Sequence, residues 1–509
     1  MKTFAKPDLI SAGTSPLVDR TRLAQLANVL AAAVALVLPW STSATGILIA
    51  LWLVVLAPTL DFLSLRREVL APAGGLPVLL WLLGAFGMLW AGVSWGERIA
   101  GLSGYHKLLV IPLLLAQFRR SGQGEWVLLA FVCSCAVLLA VSAGLAFIPG
   151  LSWRGNTHVG VPVKDYILQS ELFAICAFGL LGLAAAQWRS HRRQALIFLL
   201  AAILFVANIV YIETARTTLV AMAVLLVLFG FFQFGWRGGL VVCACAILLS
   251  GAVWFSSPYL RERVSRTVQE VQIQDASTAV NSVGLRLDYW KNSLGFLQQA
   301  PVIGHGTGSI PQLFRREATA QTDPQAITTN PHNQVFVVAL DLGLLGTIVL
   351  LAMWLAHLRL FAPHVRELKG RATRSVDSLP PCGGGLGRGV ERVTSALSRS
   401  ETPTPIPSPT QVGPARLAHS GEQPGQARVA VGGEPTECAP ALTMTRRRAV
   451  VPRPHSLLAW FGLVIVVQNI VCSMFNSHLF DFSQGWLYVW GVGALGGSIL
   501  HASSVPSRQ

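Results

Sequence analysis

An all-α, polytopic membrane protein is the fold class this chain predicts, and three observations carry that reading. Hydrophobic residues make up 52% of 509 residues, charged residues 12%, and the mean hydropathy is +0.54, whereas a soluble globular chain carries roughly 25% charged residues. Apolar runs of about the 20 residues needed to cross a bilayer recur along most of the chain. The net charge of +15 falls in short clusters between those runs. No continuous basic patch interleaves with aromatics, so topology explains the charge and nucleic acid is not an expected partner.

The elements follow in order. Lys2, Lys6, Arg20 and Arg22 precede the apolar run 23–40, which reads as an uncleaved first helix because many more runs follow it. Further spans are expected near 43–60, 75–93, 103–118, 125–147, 165–187, 194–213, 215–233 and 238–256, so that residues 1–256 hold nine. A polar region, 257–331, comes next, then a tenth span at 332–358. Two more, at 456–476 and 482–502, bring the expectation to twelve. With the N-terminus cytoplasmic, Arg66-Arg67, Arg119-Arg120, the cluster Arg189 to Arg193 and Arg237 all fall on the cytoplasmic side, which is the positive-inside pattern. Between the tenth and eleventh spans, residues 363–454 turn rich in Pro, Gly, Ser and Thr, as in Thr402-Pro403-Thr404-Pro405. Such a stretch cannot bury a core, and it reads as a disordered cytoplasmic linker without a catalytic role.

Two regions on the opposite face are long enough to build something, 148–165 with Trp153, Arg154, His158 and Lys164, and 257–331. The second contains a helical-looking segment from Val283 to Gln299 and the turn-rich Pro301-Val302-Ile303-Gly304-His305-Gly306-Thr307-Gly308-Ser309. Its glycines resemble a phosphate loop only loosely, since no Lys-Ser/Thr follows and no strand precedes. Six of the eight cysteines, Cys133, Cys135, Cys176, Cys243, Cys245 and Cys472, lie in apolar runs and read as packing residues. No Cys-x-x-Cys pair or zinc-spaced histidine accompanies them, so neither a metal nor another cofactor is expected.

Charge held against the membrane is costly unless used, and three positions stand out. Arg216 begins a helix just after Glu213-Thr214-Ala215, where a cation opposes the helix dipole unless an anion is shared with the free N–H groups. Pairing with Glu213 is the alternative. Arg286 shares a helical face with Trp290 and suits an anion, a pairing with Asp288, or stacking on an aromatic. His332 lies in Asn330-Pro331-His332-Asn333-Gln334. With Asn330 as N-cap and Pro331 at the first helical position, His332 is expected in the first turn, kept neutral by the dipole and able to accept a proton. At about 100° per residue it would head a stripe of Phe336, Ala339, Gly343 and Gly346, with Asp341 on the opposite face, packed or in polar contact with another helix.

His332-Asn333, nine residues, then Gly343-x-x-Gly346 resembles the pattern of the O-antigen ligase family, which includes O-antigen polymerases and some protein O-oligosaccharyltransferases. The resemblance extends to the span count, to Thr214-Ala215-Arg216-Thr217 and to the region Arg286 to Gly308, and it leaves out only the linker. It implies a GT-C-like, metal-independent glycosyltransferase in the bacterial inner membrane with its site facing the periplasm. The implied donor is an undecaprenyl-diphosphate-linked glycan and the acceptor a lipid A-core sugar, with His332 as base and Arg216 and Arg286 on the diphosphate. A polymerase using a second lipid-linked glycan as acceptor is the first alternative. A transporter or flippase of lipid-linked sugar is the second; it would show internal repeats and charged or broken helices near the midplane, and the sequence shows neither clearly.

Overall fold

The computed structural model describes residues 19–148, 151, 158–212, 215–256, 258, 261, 262, 265, 282–317, 328–370 and 454–504. The chain divides into two units, residues 1–374 with 449–509, and residues 375–448. The second unit lies outside the described residues, as do Arg154, Glu213 and most of 257–281, so the expectations for the linker and for the Glu213 pairing are not addressed.

The described residues fold entirely as helices and connecting turns, with no strand among them. In chain order they are α1 Arg20–Val37, α2 Thr42–Leu56, α3 Phe62–Leu70, α4 Pro72–Gly87, α5 Trp95–Ser103, α6 Val110–Ser121, α7 Gly124–Phe147, α8 Tyr166–Gln187, α9 Arg192–Tyr211 and α10 Arg216–Ser256. After them come α11 Ser282–Gln299, α12 Ile310–Glu317, α13 Gln334–Gly370, α14 Pro454–Ser473, α15 Phe482–Trp490 and α16 Gly496–Ser504. Caps fix several starts: Asp19, Ser41, Asp61 and Asp165 each accept a backbone N–H of the first turn, and Ser94 and Glu97 form a capping box.

Among the described residues, eight helices are long and apolar enough to cross a membrane, and ten if the bent pairs Phe62–Leu70 with Pro72–Gly87 and Trp95–Ser103 with His106–Ser121 each form one span. The chain is thus an all-α polytopic membrane protein, and the eight to ten candidates found by length and composition among the described residues leave the expected count of twelve untested. Two of the expected spans fall at irregular helices. α10 breaks at Gly235 (φ 73°, ψ −172°), and a Cβ on Gly230 would lie 3.1 Å from the Gly239 Cα, so the chain folds back on itself there. The last segment is interrupted by a π-helical turn, Gly491–Leu495, between α15 and α16.

α8 and α14 form the interior, with 83% and 78% of their apolar windows buried, against 22–33% for α1, α2, α7, α9 and α10. An outer helix keeps an apolar face for lipid, as Val54 and Leu200 show, and turns its polar side chains inward, as Ser142 and Asn208 do. One group of charged side chains gathers around Glu68. Arg119 Nη1 pairs with buried Glu68 at 3.1 Å, Arg67 Nε reaches the same carboxylate at 3.0 Å, Arg120 Nη1 donates to the Thr59 carbonyl, and His501 Nδ1 lies 2.8 Å from the Arg119 carbonyl. The expected grouping of Arg66-Arg67 with Arg119-Arg120 therefore has a physical counterpart. The segments around residues 165, 216, 286, 332 and 476 form a second group.

Candidate active site

The sequence pattern misplaces the start of α13, and the correction defines the site. The helix begins at Gln334, not Pro331. Asn333 is the residue that caps it: its Oδ1 accepts from Val335 N–H at 2.9 Å and Phe336 N–H at 3.3 Å, while its Nδ2 donates to the Met474 carbonyl at 2.9 Å. Asn330 instead turns back on itself, its Oδ1 accepting from His332 N–H at 2.8 Å and from Ser477 Oγ at 2.6 Å. His332 thus stands before the helix with φ +54°, the left-handed region that non-glycine residues enter at a cost of about 1–3 kcal/mol. Both asparagines reach the turn after α14, so the strained histidine is held from two sides.

That turn also fixes the imidazole. His332 Nδ1 lies 3.0 Å from Asn476 Oδ1, and the same Oδ1 accepts Ser477 N–H at 2.9 Å. The main-chain N–H can only donate, so the amide end it meets is the oxygen, and His332 Nδ1 must carry the proton. Nε2 then presents a lone pair, and it makes no hydrogen bond among the described residues. Tyr289 stacks beside the ring, centroids 6.0 Å apart and planes 23° apart. Asn476 went unnoticed in the sequence. Its only signal was a polar run, Asn476-Ser477-His478, between two apolar segments.

Arg216 lies close enough to Arg286, and Arg286 to His332, for each charge to be felt. Burial holds the Arg286 guanidinium below its ordinary pKa, and the nearby charge of Arg216 adds to that depression. Arg286 in turn acts on His332, whose pKa is lowered first by burial and further by this charge, against the opposing hydrogen bond from Asn476. The dipole argument for a neutral imidazole therefore gives way to burial and a neighbouring cation. His478, on the same turn as Asn476, is pushed down to about 4, again mainly by burial, with Arg286 adding and Asp481 opposing. No ion pair between Arg286 and Asp288 occurs among the described residues. Trp290, one turn from Arg286 on α11, donates from Nε1 to the Pro331 carbonyl at 3.1 Å and packs on Phe336, ring centroids 6.4 Å apart. α11 is thereby docked on the histidine segment. Arg216 opens α10, as expected.

The glycines have a different role from the expected stripe. α13 breaks at Gly343 (φ 63°, ψ −155°), so His332, Phe336 and Ala339 share no continuous helical face with Gly346. The backbone groups that the break releases are taken up by the turn 301–306. His305 N–H donates to the Leu340 carbonyl and Gly306 N–H to that of Asp341, while Leu344 and Leu345 N–H donate to Pro301 and Val302 carbonyls, at 2.8, 2.9, 2.8 and 3.2 Å. A Cβ at Gly304 would lie 2.6 Å from the Gly343 nitrogen, and one at Gly343 2.4 Å from the Val302 carbonyl. Asp341 completes the joint, buried, accepting from Tyr105 OH at 3.2 Å and Gly308 N–H at 3.2 Å. The sequence suggested packing or a polar contact with another helix; the partners found, Tyr105 and Gly308, lie in turns.

Against known proteins, residues 201–351 match the family model described as O-antigen ligase. Over that stretch, about 30% of its length, the chain is similar to the O-antigen ligase family. A search of the curated proteins finds no match. Ligase- or polymerase-type transfer from lipid-linked glycans, by a protein embedded in a membrane, is the activity that goes with the O-antigen ligase family. The matched stretch runs from α9 into α13 and contains Arg216, Arg286, His332, Asn333, Gly343 and Gly346. Asn476 and His478 lie outside it.

Proposed function

We propose that the chain is an inverting, metal-independent glycosyltransferase that moves a glycan from undecaprenyl diphosphate to a lipid A-core acceptor at the periplasmic face of the bacterial inner membrane. The observation that carries this reading is the proximity of Arg216 to Arg286 and of Arg286 to His332, from three separate segments, with Nε2 of the histidine presented as a lone pair. Two mutually repelling guanidiniums brought together suit a multiply charged anion, and a diphosphate is one.

In this mechanism Arg216 and Arg286 hold the donor diphosphate. The acceptor hydroxyl attacks the anomeric carbon as its proton passes to His332 Nε2. The bond from that carbon to the diphosphate oxygen breaks on the opposite side, inverting the centre, and the charge left on the diphosphate is met by the two guanidiniums. Asn476 accepts from Nδ1–H, keeping the imidazole in the tautomer that can accept at Nε2 and facing the acceptor.

Purified protein given a lipid-linked donor and core lipid is expected to yield glycan on core lipid. Product only on a second lipid-linked glycan would replace the ligase reading with a polymerase. No transfer to either acceptor, with donor movement across a vesicle bilayer, would replace both with a flippase.

A further inference from the structure

A second cluster sits inside the bundle, behind the turn that holds His332. Glu171 on α8, Cys472 on α14 and His478 on the turn are all buried, and their ligand atoms lie within 4.8 Å of one another. They border a cavity of about 20 Å³, room for a single water-sized occupant. Its polar atoms are poorly served. Glu171 Oε1, both ring nitrogens of His478, Gln468 Oε1 and Asn469 Oδ1 are buried without hydrogen bonds among the described residues.

His478 Nε2 lies 3.3 Å from Glu171 Oε1, yet the pair completes no hydrogen bond. That separation is close to the distance between two ligand atoms on one metal ion. Zinc bonds of about 2.0–2.2 Å to nitrogen and oxygen, at tetrahedral angles, set an N···O edge of about 3.4 Å. The set is also electrically suited to an apolar interior, because one thiolate and one carboxylate neutralise a divalent cation. Asp481, on the same turn, has its Oδ1 3.7 Å from Lys164 Nζ.

We infer that Glu171, Cys472 and His478 bind a divalent cation of the zinc type. An amide oxygen of Gln468 or Asn469, or a water in the cavity, fills the fourth position. Binding releases the Cys472 thiol proton to solvent. The cation stands outside the transfer step. It ties α8 and α14 to the turn that carries His478. The inference does not depend on the transfer reaction.

The test uses full-length, tag-cleaved protein in detergent, stripped with chelator and loaded with Co²⁺. A thiolate-to-cobalt charge-transfer band is expected, with about one cobalt retained per chain. Both should be lost in Cys472→Ser and His478→Ala, and both kept in Cys133→Ala and His332→Ala. Zn²⁺ should displace the cobalt and raise the melting temperature of the stripped protein. Absence of the band in the wild type, or cobalt retained equally by Cys472→Ser, would overturn the inference. A failure of these variants to fold would leave the wild-type band as the deciding measurement.

Discussion

At the scale of single residues, His332 combines a left-handed backbone, a fixed tautomer and a cationic neighbour. Backbone strain of this kind persists only where surrounding contacts outweigh it, and here Asn330, Asn333 and Asn476 supply them. His332→Ala is expected to lower transfer by about 10²–10⁴-fold at unchanged expression, the range of a general base; near-normal transfer would remove the base from the mechanism. The sign of the pH effect follows from burial. A lowered pKa keeps the base neutral further into acid, so the acidic limb of kcat/KM should lie below the ordinary histidine value of about 6.5. Removing the nearby cation with Arg286→Gln should move that limb upward while weakening donor binding. Asn476→Ala frees the ring to adopt either tautomer, and kcat should fall by about tenfold or more with KM for donor little changed. A rise in KM alone would make Asn476 a binding residue.

At the scale of elements, the determining feature is the broken helix α13. Four backbone groups released at Gly343 are satisfied by the turn 301–306, so the break costs little only while that turn is seated. The glycines permit the contact, because Gly304 and Gly343 both carry positive φ and meet backbone to backbone. Gly304→Ala should therefore destabilise the protein by about 2–4 kcal/mol. Gly144→Ala, in α7 with nothing within 4 Å of the new Cβ, should be neutral or stabilising by up to about 1 kcal/mol. Melting curves of the two variants in detergent would compare them directly, and equal effects would contradict the wedge. Asp341→Ala strands the Tyr105 hydroxyl and the Gly308 N–H, a loss of about 1–3 kcal/mol for each buried donor.

At the scale of the whole molecule, every residue placed in the transfer site lies in the unit of residues 1–374 and 449–509. Replacing 375–448 with a short flexible linker is accordingly expected to leave in vitro transfer within about twofold, as composition alone suggests for a segment unable to bury a core. Loss of transfer in a variant that still inserts and melts normally would give that segment a function. Much of the fold could be read directly from the chain. Apolar run length located the helices, because lipid obliges a spanning segment to satisfy its backbone internally, while the one cap read from the sequence, Asn330, fell three residues early. Charge against the membrane pointed to Arg216, Arg286 and His332, because burial of an unused charge is expensive. What local periodicity could not provide was any contact between segments distant in sequence. Asn330 looked like a helix cap until Ser477 claimed the same oxygen, and Gly343 looked like a packing residue until the turn 301–306 took up its neighbours' hydrogen bonds. Glu171, Cys472 and His478 lie on three elements, with no spacing that a pattern could detect. The sequence by itself determined that helices cross a membrane and which charged side chains are costly to leave unused. Only the tertiary structure decided their partners, because hydrogen bonds and electrostatic fields depend on separations of a few ångströms that close when distant segments pack.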